Sequence, residues 1–76
     1  MQIPGHPRIT SEPDLFGGQP AVRGMRIRVS DIVEYMAAGD TRETLLRQFP
    51  FLEDADLSAA LAYAAETSKS AMIAAE

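Results

Sequence analysis

The chain of 76 residues contains no cysteine and one histidine, and no long uninterrupted hydrophobic run. Without cysteine there are no disulfides and no thiolate metal sites, a usage that fits a reducing compartment. His6 alone cannot build a multi-histidine metal centre. No stretch approaches the ~18 apolar residues that a membrane helix needs. The first ten residues, MQIPGHPRIT, lack the apolar core of a secretory signal, so the expectation is a cytoplasmic protein with no membrane partner. Positive charge is also scarce, with 7 Lys and Arg against 11 Asp and Glu and a net charge of −4. On average this is not a nucleic-acid-binding composition. A domain this small buries only ~60% of its unfolded surface, and with disulfides and metals excluded, a partner chain is the expected extra stabiliser.

The average charge conceals a division. Residues 1–28 hold four basic and two acidic side chains, a net of +2, whereas residues 29–76 hold three basic and nine acidic, a net of −6. A basic head on an acidic body marks interaction surfaces more often than catalysis.

Residues 1–20 carry four of the five prolines and three of the five glycines. That density predicts an extended, turn-rich arm, with room for a short strand at Ile9–Thr10. Residues 21–29 then alternate, with Met25, Ile27 and Val29 on one face and Arg26 and Arg28 on the other. Period two with β-branched residues predicts a half-buried basic strand or hairpin, in which Gly24 marks a bulge or a tight turn.

From Ser30 the period becomes helical, and residues 30–67 read as three helices. Ser30 is the expected cap of the first, with Asp31 in its first turn, an apolar face of Ile32, Val33 and Met36, and Gly39 as its stop. Asp40 and Glu43 form the expected capping start of the second, whose apolar face is Leu45, Leu46 and Phe49 and which Pro50 ends. Glu53, Asp54 and Asp56 open the third, where Leu57, Ala60, Leu61, Ala64 and Ala65 follow helical spacing. Residues 68–76 form a tail that either extends this helix or orders on a partner. The expected fold is therefore mainly α, with N-terminal β-strands followed by a helix-turn-helix-like bundle of three helices in one domain.

The third helix is apolar beyond its core stripe, because Ala59, Ala62 and Tyr63 fall outside it. Together with Met72 and Ile73 in the tail, they are candidates for a partner or dimer interface. The alternative is that alanines serve as good helix formers on a solvated face.

No catalytic constellation is visible. The clustered acids suit a helix start, the serines have a single histidine to lean on, and Gly17-Gly18 lacks the Lys-Ser/Thr of a phosphate loop. No enzyme activity, cofactor or metal is expected. If DNA is bound, the candidates are Arg23, Arg26 and Arg28, assisted by Arg42 and Arg47. The third helix is a poor base reader, since its carboxylates repel phosphates. The alternative for these arginines is a solvated face with ion pairs.

The segment FGGQPAVRGMRIRV, residues 16–29, resembles the domain-of-unknown-function 433 family, which carries a Gly-Gly-Lys-Pro-x-Ile-x-Gly-Thr-Arg-Ile-x-Val pattern. The likeness continues through Ser30–Val33, Ala38-Gly39, Phe49–Leu52, Asp56-Leu57 and Ala60–Ala64, and so spans about residues 9–65. The chain departs from the pattern at Gln19, often Lys, at Met25, usually Thr, and at Arg28, often Pro or Thr. The resemblance implies a β-arm followed by a homeodomain-like trihelical bundle. It also implies an antitoxin of VapB type that dimerises, binds and neutralises a PIN-like ribonuclease toxin and often represses its own operon. The alternative is a repressor that holds operator DNA through the arginine-bearing strand of a dimer.

Overall fold

The computed structural model describes the backbone of residues 1–75 and the side chains of residues 1–69. Three short strands, β1 (Gln2–Ile3), β2 (His6–Thr10) and β3 (Ala21–Val22), precede three helices, α1 (Val29–Ala37), α2 (Arg42–Gln48) and α3 (Asp54–Ala75). The strands form an antiparallel sheet in the order β1-β2-β3, with Ile9 opposite Val22 and Thr10 opposite Ala21. The protein is thus a small mixed α/β domain.

The first ten residues are extended and turn-containing, and the short strand expected at Ile9–Thr10 reaches back to His6. Pro4 and Gly5 make the turn between β1 and β2, and the Ser11 N–H returns to the Met1 carbonyl at 2.9 Å. Proline is excluded from the centre of a ladder but not from a turn or an edge.

Residues 21–29 take the hairpin form of the expectation, with the tight turn at Gly24. The strand stops at Val22, and Arg23 (φ 47°) and Gly24 (φ 68°) turn the chain through two left-handed residues. The Met25 N–H closes this turn on the Val22 carbonyl at 2.8 Å. Two successive positive φ values belong to a type I′ turn, for which glycine is the permissive residue. The Val22 N–H then donates to the Ile27 carbonyl at 3.0 Å, and Arg28 bridges back to Ala21. Ile27 and Val29 are buried as expected, but on a returning segment rather than along one strand. Arg23, Arg26 and Arg28 consequently do not share one strand face.

Helix boundaries follow their caps. The Asp31 carboxylate accepts from the Arg28 N–H at 2.9 Å, so α1 is capped at Arg28, and Ser30 lies inside the first turn instead of at the cap. Thr41 caps α2, its hydroxyl accepting from the Thr44 N–H at 3.1 Å, in place of the expected Asp40. Gly39 ends α1 with φ 104°, and the Gly39 and Asp40 amides donate to the Met36 and Tyr35 carbonyls, the two bonds of a Schellman stop. Thr67–Ser70 does not interrupt α3.

The core comprises Ile9 and Val22 from the sheet, Ile27, Val29 and Ile32 from the entry to α1, Leu45 from α2, and Leu52, Leu57 and Ala60 around α3. Each helix contributes one apolar stripe, and the sheet covers the remaining side of α3. Burying each such aliphatic side chain contributes ~1.5–3 kcal/mol.

Candidate protein-interaction site

Among the described residues Asp56 is the one charged side chain wholly removed from solvent. It sits in the first turn of α3, where its Oδ2 accepts from the Glu53 N–H at 2.9 Å, half of a capping box. Its remaining lone pairs face two arginines from the sheet. Arg23 donates from Nε to Oδ1 at 2.9 Å and from a terminal nitrogen to Oδ2 at 2.7 Å, while Arg8 donates to Oδ1 at 2.9 Å. Arg8 also binds Glu53 at 2.6 Å, and Arg23 holds the Phe51 carbonyl at 3.0 Å. Burial by itself pushes the Asp56 carboxyl up. The Arg23 hydrogen bonds, the Glu53 amide and Arg8 together outweigh it and hold the group below its ordinary value.

This network decides what the arginines can do. Arg28 binds Asp31 at 2.8 Å, touches the Gln19 amide oxygen at 3.2 Å and lies over the Phe16 ring at 5.1 Å. Its hydrogen bond lowers the Asp31 carboxyl. Arg42 clamps the start of α3, donating to the Asp54 carboxylate and carbonyl at 2.9 Å and to the Ser58 hydroxyl at 2.8 Å. Of the five arginines that the sequence nominates for DNA, Arg23, Arg28 and Arg42 are therefore engaged within the chain. Arg26 and Arg47 are exposed and make no ion pair among the described residues. The five do not assemble into one patch of free charge.

Two apolar surfaces remain open. Tyr35 of α1, Phe49 after α2 and Phe51 in the α2–α3 connection form a run of rings, with centroids 5.6 and 5.9 Å apart. Tyr35 is 39% exposed and Phe51 48% exposed. Phe49, between them, is partly buried against the core. The second surface is an open groove of about 490 Å³ between α1 and α3. Val29 and Val33 line one wall, Tyr63, Ala64 and Thr67 the other, and Pro20 closes an end. Glu34, exposed and in no ion pair among the described residues, stands at its edge.

The interface residues expected on α3 divide. Ala59 and Tyr63 pack partly against the chain's own core, and the Tyr63 ring meets His6 edge-on with centroids 5.0 Å apart. His6 in turn binds Glu66 at 2.9 Å. Ala62 is exposed. The side chains of Met72 and Ile73 lie outside the described residues. The second side of α3 is thus partly covered by the N-terminal hairpin, an intrachain partner that helical spacing does not reveal. The aromatic run was missed because its members belong to three segments, although the unusual Phe-Pro-Phe sequence at 49–51 was visible. Among the described residues no three His, Asp or Glu side chains converge to hold a metal, and no helix is long and apolar enough to cross a membrane.

Comparison with known proteins places these features in a family context. The uncharacterized protein y4eO of Sinorhizobium fredii is 41% identical over 56 residues, covering 74% of this chain and 25% of that protein. A crystal structure of a DUF433 member protein from Anabaena variabilis superposes with a TM-score of 0.78 at 35% identity, covering 83% of this chain and 62% of that one. The chain therefore spans about a quarter of the curated relative and under two thirds of the crystallised one. The sequence profile "Protein of unknown function (DUF433)" matches residues 9–64, which include Asp56, Glu53, Arg23 and the aromatic run but not Arg8, and the chain belongs to the DUF433 family.

Proposed function

We propose that this chain is an antitoxin-like protein-binding module whose partner is a PIN-like ribonuclease. The observation that carries this reading is the Tyr35–Phe49–Phe51 run, whose outer rings Tyr35 and Phe51 are exposed. Contiguous exposed aromatics on a small acidic domain mark protein-interaction sites, and aromatic anchors dominate the energetics of such interfaces. The class of partner comes from the family resemblance, through antitoxins that bind and silence a nuclease. In this reading the module acts by occlusion, without chemistry of its own, and its cellular compartment is the cytoplasm.

The test is co-expression with the product of the neighbouring gene, followed by size-exclusion chromatography and a ribonuclease assay. A co-eluting complex with suppressed nuclease activity is expected, and Phe51→Ser should weaken it without unfolding the module. A nuclease that elutes alone and stays fully active refutes the proposal.

Arg26 and Arg47 favour a second reading, a dimeric repressor in which α2 and α3 act as a helix-turn-helix. Two uncommitted arginines per chain give a dimer four phosphate contacts at most from this source. Binding to the operator should then fall with salt at a log–log slope no steeper than about −4. Glu53 and Asp54, exposed at the start of α3, oppose a phosphate backbone at the position a reading helix would occupy. The protein-binding reading is the better supported of the two.

A further inference from the structure

The α1–α3 groove is distinct from the aromatic run and calls for its own occupant. We infer that it receives a basic amphipathic helix of the partner protein, with apolar side chains on Val33 and Ala64 and a lysine or arginine against Glu34. The inference rests on the protein-binding reading above and specifies the partner's chemistry.

Shape comes first. A volume of about 490 Å³ between two helices suits a few aliphatic side chains. An amphipathic helix presents these at i, i+3, i+4 and i+7. Hydroxyl-bearing Thr67 already donates to the Tyr63 and Ala64 carbonyls at 3.1 Å, so that part of the wall is satisfied internally and presents its methyl face.

Charge selects among helices. The groove lining contains one charged side chain, Glu34, and no basic one. Arg28, a nearby cation, feels Glu34 through space but is hydrogen-bonded to Asp31 at 2.8 Å and makes no ion pair with Glu34. The chain as a whole is net −4. A second copy of this chain would approach with the same carboxylate and the same net sign, and a two-fold pairing of this groove would set like charges together. A basic partner meets neither obstacle.

The probe is a fluorescently labelled helical peptide with leucines at i, i+3, i+4 and i+7 and lysines on its flanks, compared with the same peptide carrying glutamates. Anisotropy should show the lysine peptide binding at least ~10-fold more tightly. Val33→Ser, which leaves the charge unchanged, should weaken it by about the same factor, and Glu34→Lys should reverse the preference between the peptides. Glu43→Gln, an exposed acid on α2, is the control and should leave affinity unaltered. Thermal melts identify any variant that fails to fold, and Glu34→Lys, on the surface, keeps the test decisive.

Equal binding of both peptides, or a Glu43→Gln loss matching that of Glu34→Lys, overturns the inference in favour of diffuse electrostatics. A concentration-dependent dimer abolished by Val33→Ser overturns it in favour of a second copy. A nuclease complex that survives Val33→Ser and Glu34→Lys refutes the groove while leaving the proposed function standing. Peptide binding without any nuclease complex does the converse.

Discussion

Replacing Asp56 by Asn tests whether the sheet is held to α3 by charge. The native carboxylate accepts four hydrogen bonds, three of them from guanidinium groups, at 2.7–2.9 Å. Asparagine keeps the shape but loses the charge and turns an NH₂ donor toward arginine donors. Breaking a fully enclosed ion pair costs ~3–5 kcal/mol. Here Arg8 and Arg23 keep 36% and 37% of their side-chain surface exposed and regain hydration when released, so the cost is set at about 2–3 kcal/mol. For a domain of this size that is a fall in Tm of about 10–20 °C. Differential scanning calorimetry or circular dichroism at pH 7 reads it directly.

Acid provides the second arm of the same test. The folded carboxyl lies below its ordinary value of 3.8. Its contribution is therefore fully present above the unfolded pKa and is lost as pH falls through the folded one, where the unfolded chain binds more protons. The gap in Tm between wild type and Asp56→Asn should be constant above pH 5 and should shrink below pH ~4. Adding Arg23→Gln to Asp56→Asn should cost much less than Arg23→Gln alone, because the two side chains act as one unit. A fall in Tm under ~3 °C, or a gap independent of pH, refutes the view that this carboxylate anchors the sheet.

Five further substitutions have expected outcomes. Gly39→Ala meets no steric neighbour but forces a side chain to φ 104°, and should destabilise the domain by ~1–2 kcal/mol in a denaturant titration. Thr41→Ala should cost ~1 kcal/mol through loss of the α2 cap, whereas Asp40→Ala should change stability by less than ~0.5 kcal/mol. Tyr35→Ser and Phe51→Ser, at exposed positions, should leave Tm within ~3 °C of wild type while reducing co-elution with the nuclease partner.

Three helices and their apolar faces were legible because each is specified locally. Ile32, Val33 and Met36, then Leu45, Leu46 and Phe49, then Leu57, Ala60 and Leu61 recur at the helical period, and Gly39 and Pro50 punctuate them. The exact caps were less legible. Ser30 and Asp40 are chemically suitable, but the competing side chains Asp31 and Thr41 reach an amide that determines the start one or two residues away. The sheet was the hardest part to read. Pro4-Gly5 and Arg23-Gly24 are turns whose function depends on the strands they join, and pairing of Ile9 with Val22 is a contact across 13 positions. Period two at Met25, Ile27 and Val29 matched a strand because a returning loop beside a core also alternates inward and outward.

Charge segregation carried a meaning that composition could not supply. The basic head and acidic body suggested two surfaces, each awaiting a partner. Yet Arg8 and Arg23 of the head cross to Glu53 and Asp56 of the body, over 45, 48 and 33 positions of sequence. Arg42 satisfies Asp54 in the same first turn of α3. Much of the asymmetry is thus two halves of one intrachain interface, which explains how a chain without disulfides fastens a small sheet to its longest helix. Subtracting those pairs leaves, among the described residues, Arg26, Arg47 and Lys69 as cations without an ion pair, and Asp14, Asp40, Glu43 and the groove's Glu34 as anions without one. A functional reading based on net charge would place the partner on the arginine strand. The paired geometry places the stronger candidates on the aromatic run and the acidic groove, where neither the rings nor the carboxylate have an intrachain task that accounts for their exposure.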